Sequence, residues 1–198
     1  LIGFVGGLWT VLRFATGQNK VKKKFQNFYI DFMETTLLEV IKQNIRLQLD
    51  AGAEIVMMFD SGISDLDNNF FRGKYQFLLK NISNSFPNKV GYYARGKTYN
   101  EISYLSDLPF AGLGVDNGVN MQHIFSNSKF GFIQGNFDEK NLLLDTKELE
   151  SELHIFSESM KNMENLDGWV CGLGHGINKA TPEKNVHVFI ETIRKKFS

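Results

Sequence analysis

The sequence predicts an α/β fold built on a parallel sheet, because short apolar runs alternate along the chain with segments of helical periodicity. Six such runs are candidate strands: Leu1 to Val5, Ile55 to Phe59, Val90 to Ala94, Ala111 to Val115, Phe130 to Gln134 and Trp169 to Leu173. Each run ends in polar residues or glycine, which is typical of a parallel sheet whose functional groups lie at the carboxyl ends of its strands. Six units fit an open doubly wound sheet as well as part of a closed barrel, so the pattern leaves both architectures open.

Apolar residues at three- and four-residue spacing predict helices between these strands. Three stripes are clear, and we expect each to face the core: Ile30, Met33, Leu37, Ile41, Ile45 and Leu49; Leu149, Leu153, Phe156 and Met160; and Val186, Phe189, Ile193 and Phe197. Gly52 closes the first helix, and Asp145 with Glu148 resembles a capping box that opens the second. Thr181 is the expected N-cap of the last helix, with Pro182 at its first helical position. No repeat or linker interrupts the pattern, which predicts a single domain over residues 1–198.

Charge and composition limit the binding partners and the cellular compartment that we expect for this chain. Lys and Arg together number 22, equal to Asp and Glu, so no net charge favours nucleic acid or a membrane as a partner. The basic run Lys20–Lys24 is interpreted as a local solvated face. No apolar stretch has the length of a membrane span, and no signal peptide opens the chain. The single cysteine, Cys171, lies inside an apolar run, so a disulfide framework is excluded and we expect a cytoplasmic protein.

The first residues form an apolar run, Leu1 to Gly6, with no methionine and no polar lead-in. Chain termini are usually exposed and loosely held. We therefore expect this run to be a buried strand and further sequence to precede it.

The segment from Trp169 to Gly176 carries the candidate reactive group. Its apolar run ends in Gly174-His175-Gly176, so one imidazole lies in an open loop after a strand, with small neighbours that let a backbone or a ligand approach. A histidine that only hydrogen-bonds the scaffold is the alternative. Ser61, which follows Phe59-Asp60, lacks the G-x-S-x-G context of a nucleophile and is interpreted as a hydrogen-bond donor to a ligand or as a helix cap.

The other candidates for chemistry are weaker. His123, His154 and His187 lie in helical segments, and we expect them to be surface residues or to be satisfied by hydrogen bonds within the scaffold. No His-x-Cys, Cys-x-x-Cys or His-Glu-x-x-His spacing occurs, which argues against a dedicated metal site. The glycines at 172, 174 and 176 lack the dinucleotide-binding pattern, so the sequence offers no support for a cofactor.

Six short motifs follow one another along the whole chain. They are Leu1-Ile2-Gly3-Phe4-x-Gly6-x-x-Trp9-Thr10, Ala51-Gly52-Ala53 leading to Phe59-Asp60-Ser61, Tyr93-Ala94-Arg95-Gly96, Gly114-Val115-Asp116, Gln134-Gly135-Asn136-Phe137-Asp138, and Leu173-Gly174-His175-Gly176 with Thr181-Pro182. In order and spacing they resemble the uroporphyrinogen decarboxylase family. One such motif would be weak evidence, whereas six in register indicate common descent.

The resemblance implies a TIM-type (β/α)8 barrel with its active-site cleft at the carboxyl ends of the strands, here incomplete, with this chain supplying strands 3–8. It also implies the reaction, the removal of the four acetate carboxyls of uroporphyrinogen as carbon dioxide to give coproporphyrinogen, with no metal or organic cofactor. The implied partner is this small-molecule tetrapyrrole, and the implied working form is a cytoplasmic homodimer.

The family's site residues carry over in part. Ser61 and His175 match positions that contact the substrate's carboxylates, and these two are the predicted catalytic residues. Phe59 matches an apolar wall beside the macrocycle, and Arg95 stands where the family usually has lysine. Phe14 is a departure, because the family has a tyrosine there, close to the reacting acetate.

Two further features bear on activity. Asn117 replaces the family's usual tryptophan after the aspartate. The family's arginine-rich loop, which grips the propionates, and its aspartate, which gathers the pyrrole N–H groups, are expected upstream of Leu1. Without them we expect these 198 residues to be inactive by themselves, although Arg13 could offset some of the lost positive charge.

Two other functions stay open. Phe14 and Asn117 would also suit a divergent or inactive family member that binds tetrapyrroles or acts as a structural partner of another chain. The second is a corrinoid-dependent methyltransferase on the related barrel. Such enzymes are expected to hold zinc through a His-x-Cys element and another cysteine, and a lone cysteine argues against this function.

Overall fold

The computed structural model describes residues 1–17, 29–127 and 129–198, and it has an α/β fold with six short strands. In chain order the strands are β1 (Ile2–Gly6), β2 (Ile55–Asp60), β3 (Val90–Ala94), β4 (Gly112–Gly114), β5 (Phe132–Gln134) and β6 (Trp169–Val170). The pairings of β1 with β2, β2 with β3, β3 with β4 and β5 with β6 are all parallel. The basic run Lys20–Lys24 lies outside the described residues.

Helices alternate with these strands. Seven of the described helices are α1 (Leu8–Ala15), α2 (Leu38–Asp50), α3 (Gln76–Ser85), α4 (Tyr99–Ile102), α5 (Met121–Asn127), α6 (Thr146–Lys161) and α7 (Glu183–Phe197). A helical turn and a π-helical segment precede α2 and α3: Ile30–Phe32 with Met33–Leu37, and Asn68–Phe70 with Phe71–Tyr75. The described residues also contain three 3₁₀ turns: Ile63–Asp65, Ser103–Asp107 and Glu139–Leu143. None of the described helices is both long and apolar enough to cross a membrane.

The described residues divide into two compact units. The first consists of Leu1–Gly114 with residues 129–131, and its strands β1, β2, β3 and β4 lie side by side in chain order. The second consists of Val115–Asn127 with Phe132–Ser198 and contains the parallel pair β5 and β6. Helical crossovers join the parallel neighbours, as the alternating sequence pattern predicts.

All six predicted strands are present, which confirms the α/β class. Strand β3 has the predicted bounds, whereas β4 and β5 are a little shorter than predicted. The strand predicted over Trp169 to Leu173 is wrong at its end, because β6 stops at Val170 and Leu173 forms only an isolated bridge with Phe137. Cys171 and Gly172 separate the two stretches, and Gly172 has no side chain to pack against the sheet.

The expectation that the first strand is buried is wrong. Leu1 is 78% exposed, and Ile2 and Phe4 in β1 are 56% and 72% exposed. Among the described residues β1 pairs along one edge only, with β2, so its side chains lack the packing that a central strand receives.

The predicted stripe that begins at Ile30 lies in the core of the first unit. Its buried members are Ile30, Met33, Leu37, Ile41 and Ile45. Helix α2 then ends at Asp50, and Gly52 follows with φ +101°, a backbone conformation that glycine adopts without strain. This confirms both the helix and its predicted end.

Helix α6 begins as predicted. The Asp145 carboxylate accepts hydrogen bonds from the backbone N–H groups of Lys147 (2.9 Å) and Glu148 (3.0 Å). The apolar stripe of this helix then contributes to a buried cluster in the second unit: Phe137, Leu142, Leu149 and Leu153. The cap and the stripe together fix the start of the helix and its buried face.

The predicted N-cap of α7 is wrong by one residue. Pro182 is the N-cap, with an extended backbone (φ −64°, ψ 132°), and the helix begins at Glu183. The Thr181 hydroxyl is buried and has no hydrogen-bond partner among the described residues. The predicted apolar face of α7 is only half-buried, and Val188 and Phe189 are the residues of this helix that pack against the buried cluster.

A buried carboxylate joins α1 to β2 in the first unit. Asp60, the last residue of β2, is fully buried, and its Oδ1 accepts hydrogen bonds from Thr10 N (3.0 Å) and Thr10 Oγ1 (2.7 Å). Its Oδ2 accepts from the hydroxyls of Tyr75 and Tyr92, the latter at 3.1 Å.

Burial raises the pKa of Asp60, against the opposing effect of these hydrogen bonds. Burial also raises the pKa of both tyrosines well above the usual value, so their hydroxyls stay protonated and donate.

This network extends to the loop after β2. Thr10 Oγ1 donates to Asp60 and accepts from Gly62 N (2.9 Å), so one hydroxyl bridges the carboxylate and the loop that carries Ser61. A Cβ at Gly7 would overlap with the Asp60 side chain, so glycine is needed for α1 to start this close to β2. Helix α1 and the Ser61 loop are therefore held in one arrangement.

Asp60→Asn is expected to lower the free energy of unfolding by about 2–4 kcal/mol, because an amide would present two N–H donors to a site already filled by donors. Asp107→Asn is the matched control, since Asp107 makes an exposed ion pair with Lys129 at 3.8 Å. Its effect should stay below about 0.5 kcal/mol. Urea denaturation followed by circular dichroism measures both, and equal effects would contradict the role given to Asp60.

Candidate active site

Phe59, Ser61 and Arg95 lie at the carboxyl ends of two neighbouring strands in the first unit. Strands β2 and β3 are parallel, and their last registered pair is Asp60 with Ala94. Ser61 and Arg95 are the next residues along each strand, so they leave the sheet side by side. This edge is where a parallel α/β fold presents its functional groups.

Hydrogen bonds fix the backbone around Ser61. Gly62 N donates to Thr10 Oγ1 (2.9 Å), and Gly62 O accepts from Arg13 Nη1 (3.4 Å). The alternative interpretation of Ser61 as a helix cap is wrong, because the next turn, Ile63–Asp65, has Gly62 at its N-cap position and no side chain caps it. Ser61 precedes that position by one residue, and its side chain is half-buried.

Two aromatic residues of the predicted site have different environments. Phe59 is half-buried, and its ring lies 5.8 Å from that of Tyr93 at an interplanar angle of 57°. Phe14, in the last turn of α1, is 82% exposed. Its ring is therefore accessible to a ligand without the displacement of packed side chains.

The positive charges near this edge are not equivalent. Arg95 is exposed, and the described residues show no ion pair for it. Arg13 Nη1 forms an ion pair with Asp65 Oδ2 at 3.0 Å, with both side chains largely buried. An anionic ligand can therefore approach Arg95 freely, whereas Arg13 is already engaged by a carboxylate and holds the loop at Gly62.

Lys97 has a structural role that the sequence analysis missed. Its side chain is 3% exposed, donates to Asn68 Oδ1 (2.6 Å) and Leu66 O (3.4 Å), and pairs with Glu101 Oε1 (3.4 Å). It thereby connects the loops that follow β2 and β3. A sequence signal was present, since Thr98-x-x-Glu101 has capping-box spacing and Lys97 precedes Glu101 by one helical turn.

His175 belongs to the second unit, in the loop after β6, and is half-buried. A Cβ at the adjacent Gly174 would lie 2.5 Å from Asn117 N, so glycine is required where this loop passes the loop after β4. Gly174 N donates to Phe137 O (2.7 Å), which fixes the backbone there. Gly176, on the other side of His175, has open space around it.

The other histidines and the cysteine have different surroundings. His123, His154 and His187 lie on helices and are exposed, as predicted. Burial raises the pKa of the half-buried Cys171 to about 12, so its thiol is protonated at neutral pH. Within the described residues no three His, Cys, Asp or Glu side chains form a group that could hold a metal ion.

A cavity of about 570 Å³ lies in the second unit beside the Asn136-Phe137-Asp138 motif. Asn117 contributes to its wall, but the predicted site residues do not: Phe14, Phe59, Ser61, Arg95 and His175. The wall also carries two carboxylates, Asp138 and Glu152, which would repel a substrate rich in carboxylates. We therefore place the candidate active site at the strand ends of the first unit, where the half-buried Ser61 and the exposed Arg95 lie, and not at this cavity.

Solved structures with a similar fold include a methyltransferase from Methanosarcina mazei, with a TM-score of 0.73 and 19% identity over 100% of this chain and 59% of that one. A B12-independent methionine synthase from Shewanella sp. W3-18-1 has a TM-score of 0.63 and 11% identity over 98% of this chain and 62% of its own. At these identities the likeness shows the fold alone. The parallel strands are consistent with part of a TIM-type barrel.

Curated relatives carry a consistent name. The uroporphyrinogen decarboxylase of Orientia tsutsugamushi (strain Ikeda) is 27% identical over 100% of this chain and 61% of its own length. That of Rickettsia bellii (strain RML369-C) is 27% identical over 98% of this chain and 60% of its own length. This chain thus spans about three-fifths of the relatives that it matches. The uroporphyrinogen decarboxylase (URO-D) family model matches residues 1–196, and the chain therefore belongs to that family.

Proposed function

We propose that this chain acts in uroporphyrinogen decarboxylation, in which the four acetate carboxyls of uroporphyrinogen leave as carbon dioxide and coproporphyrinogen forms. The observation that carries the proposal is the family match over residues 1–196, and the names of the curated relatives support it. The placement of Phe59, Ser61 and Arg95 at the carboxyl ends of parallel strands supports it as well. The likeness to a methyltransferase concerns the fold and does not favour that activity.

The reaction needs a site that binds many carboxylates and stabilises a positive charge on a pyrrole. Protonation of a pyrrole carbon makes the ring cationic. The bond between the acetate methylene and its carboxylate then breaks, carbon dioxide leaves, and the electron pair of that bond neutralises the ring. A proton adds to the former methylene to complete a methyl group, and the ring carbon releases its proton. Each cycle replaces one carboxylate by one proton, so the electrons balance without an oxidant or a reductant.

The proposal gives separate roles to the predicted site residues. Ser61 and His175 each donate a hydrogen bond to a substrate carboxylate, and the exposed Arg95 adds a charge-assisted contact of the same kind. Phe59 and Phe14 offer aromatic surface to the macrocycle. Phe14 supplies the ring of the family's tyrosine without its hydroxyl, so this chain lacks one polar group beside the reacting acetate.

We further propose that the six strands correspond to strands 3–8 of a (β/α)8 barrel. The chain covers 61% of the Orientia relative, and the proposal places the arginine-rich loop and the pyrrole-binding aspartate that the family implies upstream of Leu1. A homodimer and a cytoplasmic location belong to the same proposal and rest on the family resemblance.

Residues 1–198 by themselves are expected to form no coproporphyrinogen from uroporphyrinogen under anaerobic conditions, because the groups that the family implies for gripping the propionates and gathering the pyrrole N–H groups are expected upstream of Leu1. Porphyrin chromatography after oxidation measures the product. A complete decarboxylase, such as the Orientia relative, is the positive control for the substrate. Product formation above the protein-free background would show that these residues suffice.

His175→Ala is expected to lower kcat/KM by about tenfold or more in a form of the protein that decarboxylates uroporphyrinogen, because a hydrogen bond to a charged group contributes about 1.5–3 kcal/mol. His123→Ala, on the exposed face of α5, is the matched control and should change kcat/KM by less than about twofold. Steady-state kinetics of the two variants give the comparison. If both variants lose activity equally, His175 belongs to the scaffold.

Phe14→Tyr is expected to raise kcat by about tenfold or more in the same active form, because one added hydroxyl near developing charge has an effect of that order. The ring is 82% exposed, so the hydroxyl meets no packed neighbour. Phe77→Tyr, at a ring 65% exposed on α3, controls for the general effect of an added hydroxyl. An unchanged kcat for Phe14→Tyr would show that the missing hydroxyl does not limit turnover.

A further inference from the structure

The cavity in the second unit has the features of a second ligand site, independent of the proposed decarboxylation. Its volume of about 570 Å³ is within the range of small-molecule sites in proteins. A smaller cavity of about 250 Å³ shares Gln122 and Met163 with it and adds the carboxylate of Glu164. The two together form an extended recess along α5 and the C-terminal part of α6.

Part of the cavity lining is apolar. Phe137 and Met160 are each 2% exposed, and Met121 is 7% exposed, so these side chains are held by the core of the second unit. Met163 also lines the cavity. Methionine and phenylalanine side chains give a polarisable surface that suits an apolar or aromatic group.

The lining also carries negative charge. Asp138 accepts a hydrogen bond from Lys140 N (2.9 Å), and Glu152 accepts one from Asn141 Nδ2 (3.3 Å). In the part of the chain that the structure describes, neither carboxylate has an ion pair with lysine or arginine, and none of these basic residues lines the cavity. Two half-buried carboxylates without a counter-ion favour a cationic ligand.

Asn136 adds a fixed hydrogen-bond acceptor. Its side-chain nitrogen donates to Asp116 O (2.8 Å) and Val119 O (2.7 Å), which sets the orientation of the amide and leaves Oδ1 as an acceptor. Asn136 is 8% exposed and lines the cavity. An ammonium group, which has several N–H donors and no acceptor, matches a wall of carboxylate and amide oxygens.

We propose that this cavity binds an organic ammonium ion, a protonated amine with an apolar or aromatic body. The ammonium group lies against Asp138 and Glu152 and donates to the amide oxygens, and the body packs on Phe137 and the methionines. A substrate rich in carboxylates is repelled by the same wall, so binding here is separate from decarboxylation. The proposal concerns a ligand of the second unit and does not depend on the proposed function.

Isothermal titration calorimetry with three probes of equal size isolates the charge: benzylamine, benzyl alcohol and benzoate. At low salt and neutral pH, benzylamine is expected to bind about tenfold or more tightly than benzyl alcohol, and benzoate more weakly than either. The benzylamine affinity should fall as the salt concentration rises, whereas that of benzyl alcohol should not fall. Equal affinities for benzylamine and benzyl alcohol, or no binding of benzylamine, would overturn the proposal.

Glu152→Gln is expected to weaken benzylamine binding by about threefold to tenfold and to leave benzyl alcohol unchanged, because the variant removes a charge at constant shape. Glu150→Gln, on an exposed position of the same helix, is the matched control and should change neither affinity. If both variants weaken benzylamine equally, the attraction is a general surface charge and the site is rejected. The three probes on the unchanged protein still test the proposal if Glu152→Gln does not fold.

Discussion

The arrangement of the first unit's strand ends depends on the hydrogen bonds that the fully buried carboxylate of Asp60 accepts. Removing this group from water opposes its ionisation and raises its pKa, and four donated hydrogen bonds offset only part of that cost. The donors come from α1, from the helix that follows β2, and from β3, so one side chain orients three elements. Because Thr10 also receives the Gly62 N–H, the loop at Ser61 is set by a residue that lies about fifty positions earlier in the chain.

The strands and apolar stripes could be predicted from sequence because they depend on local periodicity. The stripe from Ile30 to Ile45 and the strand from Val90 to Ala94 are buried in the expected elements. The failures occur where tertiary packing decides. Whether β1 is buried depends on its neighbours, which no spacing within Leu1 to Gly6 reveals. The start of α7 depends on the extended backbone of Pro182, which makes this residue the N-cap.

The candidate site could be predicted only in part. The strand-end positions of Ser61 and Arg95 follow from the parallel sheet. Whether each nearby charged side chain is exposed or paired does not follow from it. Arg95 and Lys97 are two residues apart, yet one is exposed and the other is enclosed by Asn68 and Glu101. Such a difference arises from partners distant in sequence. It decides which cation can meet an anionic ligand and which one joins two loops.

The protonated thiol of Cys171 gives the molecule an internal reporter. It lies four residues before His175 and just after β6, and burial raises its pKa, so little of it is the reactive thiolate at neutral pH. A thiol reagent is therefore expected to react slowly with this half-buried group, and an opening of the strand end that exposes the thiol to water would raise the rate. With one cysteine in the chain, that rate belongs to a single position. Transient opening of the segment that carries Cys171 and His175 can thus be followed without an engineered label.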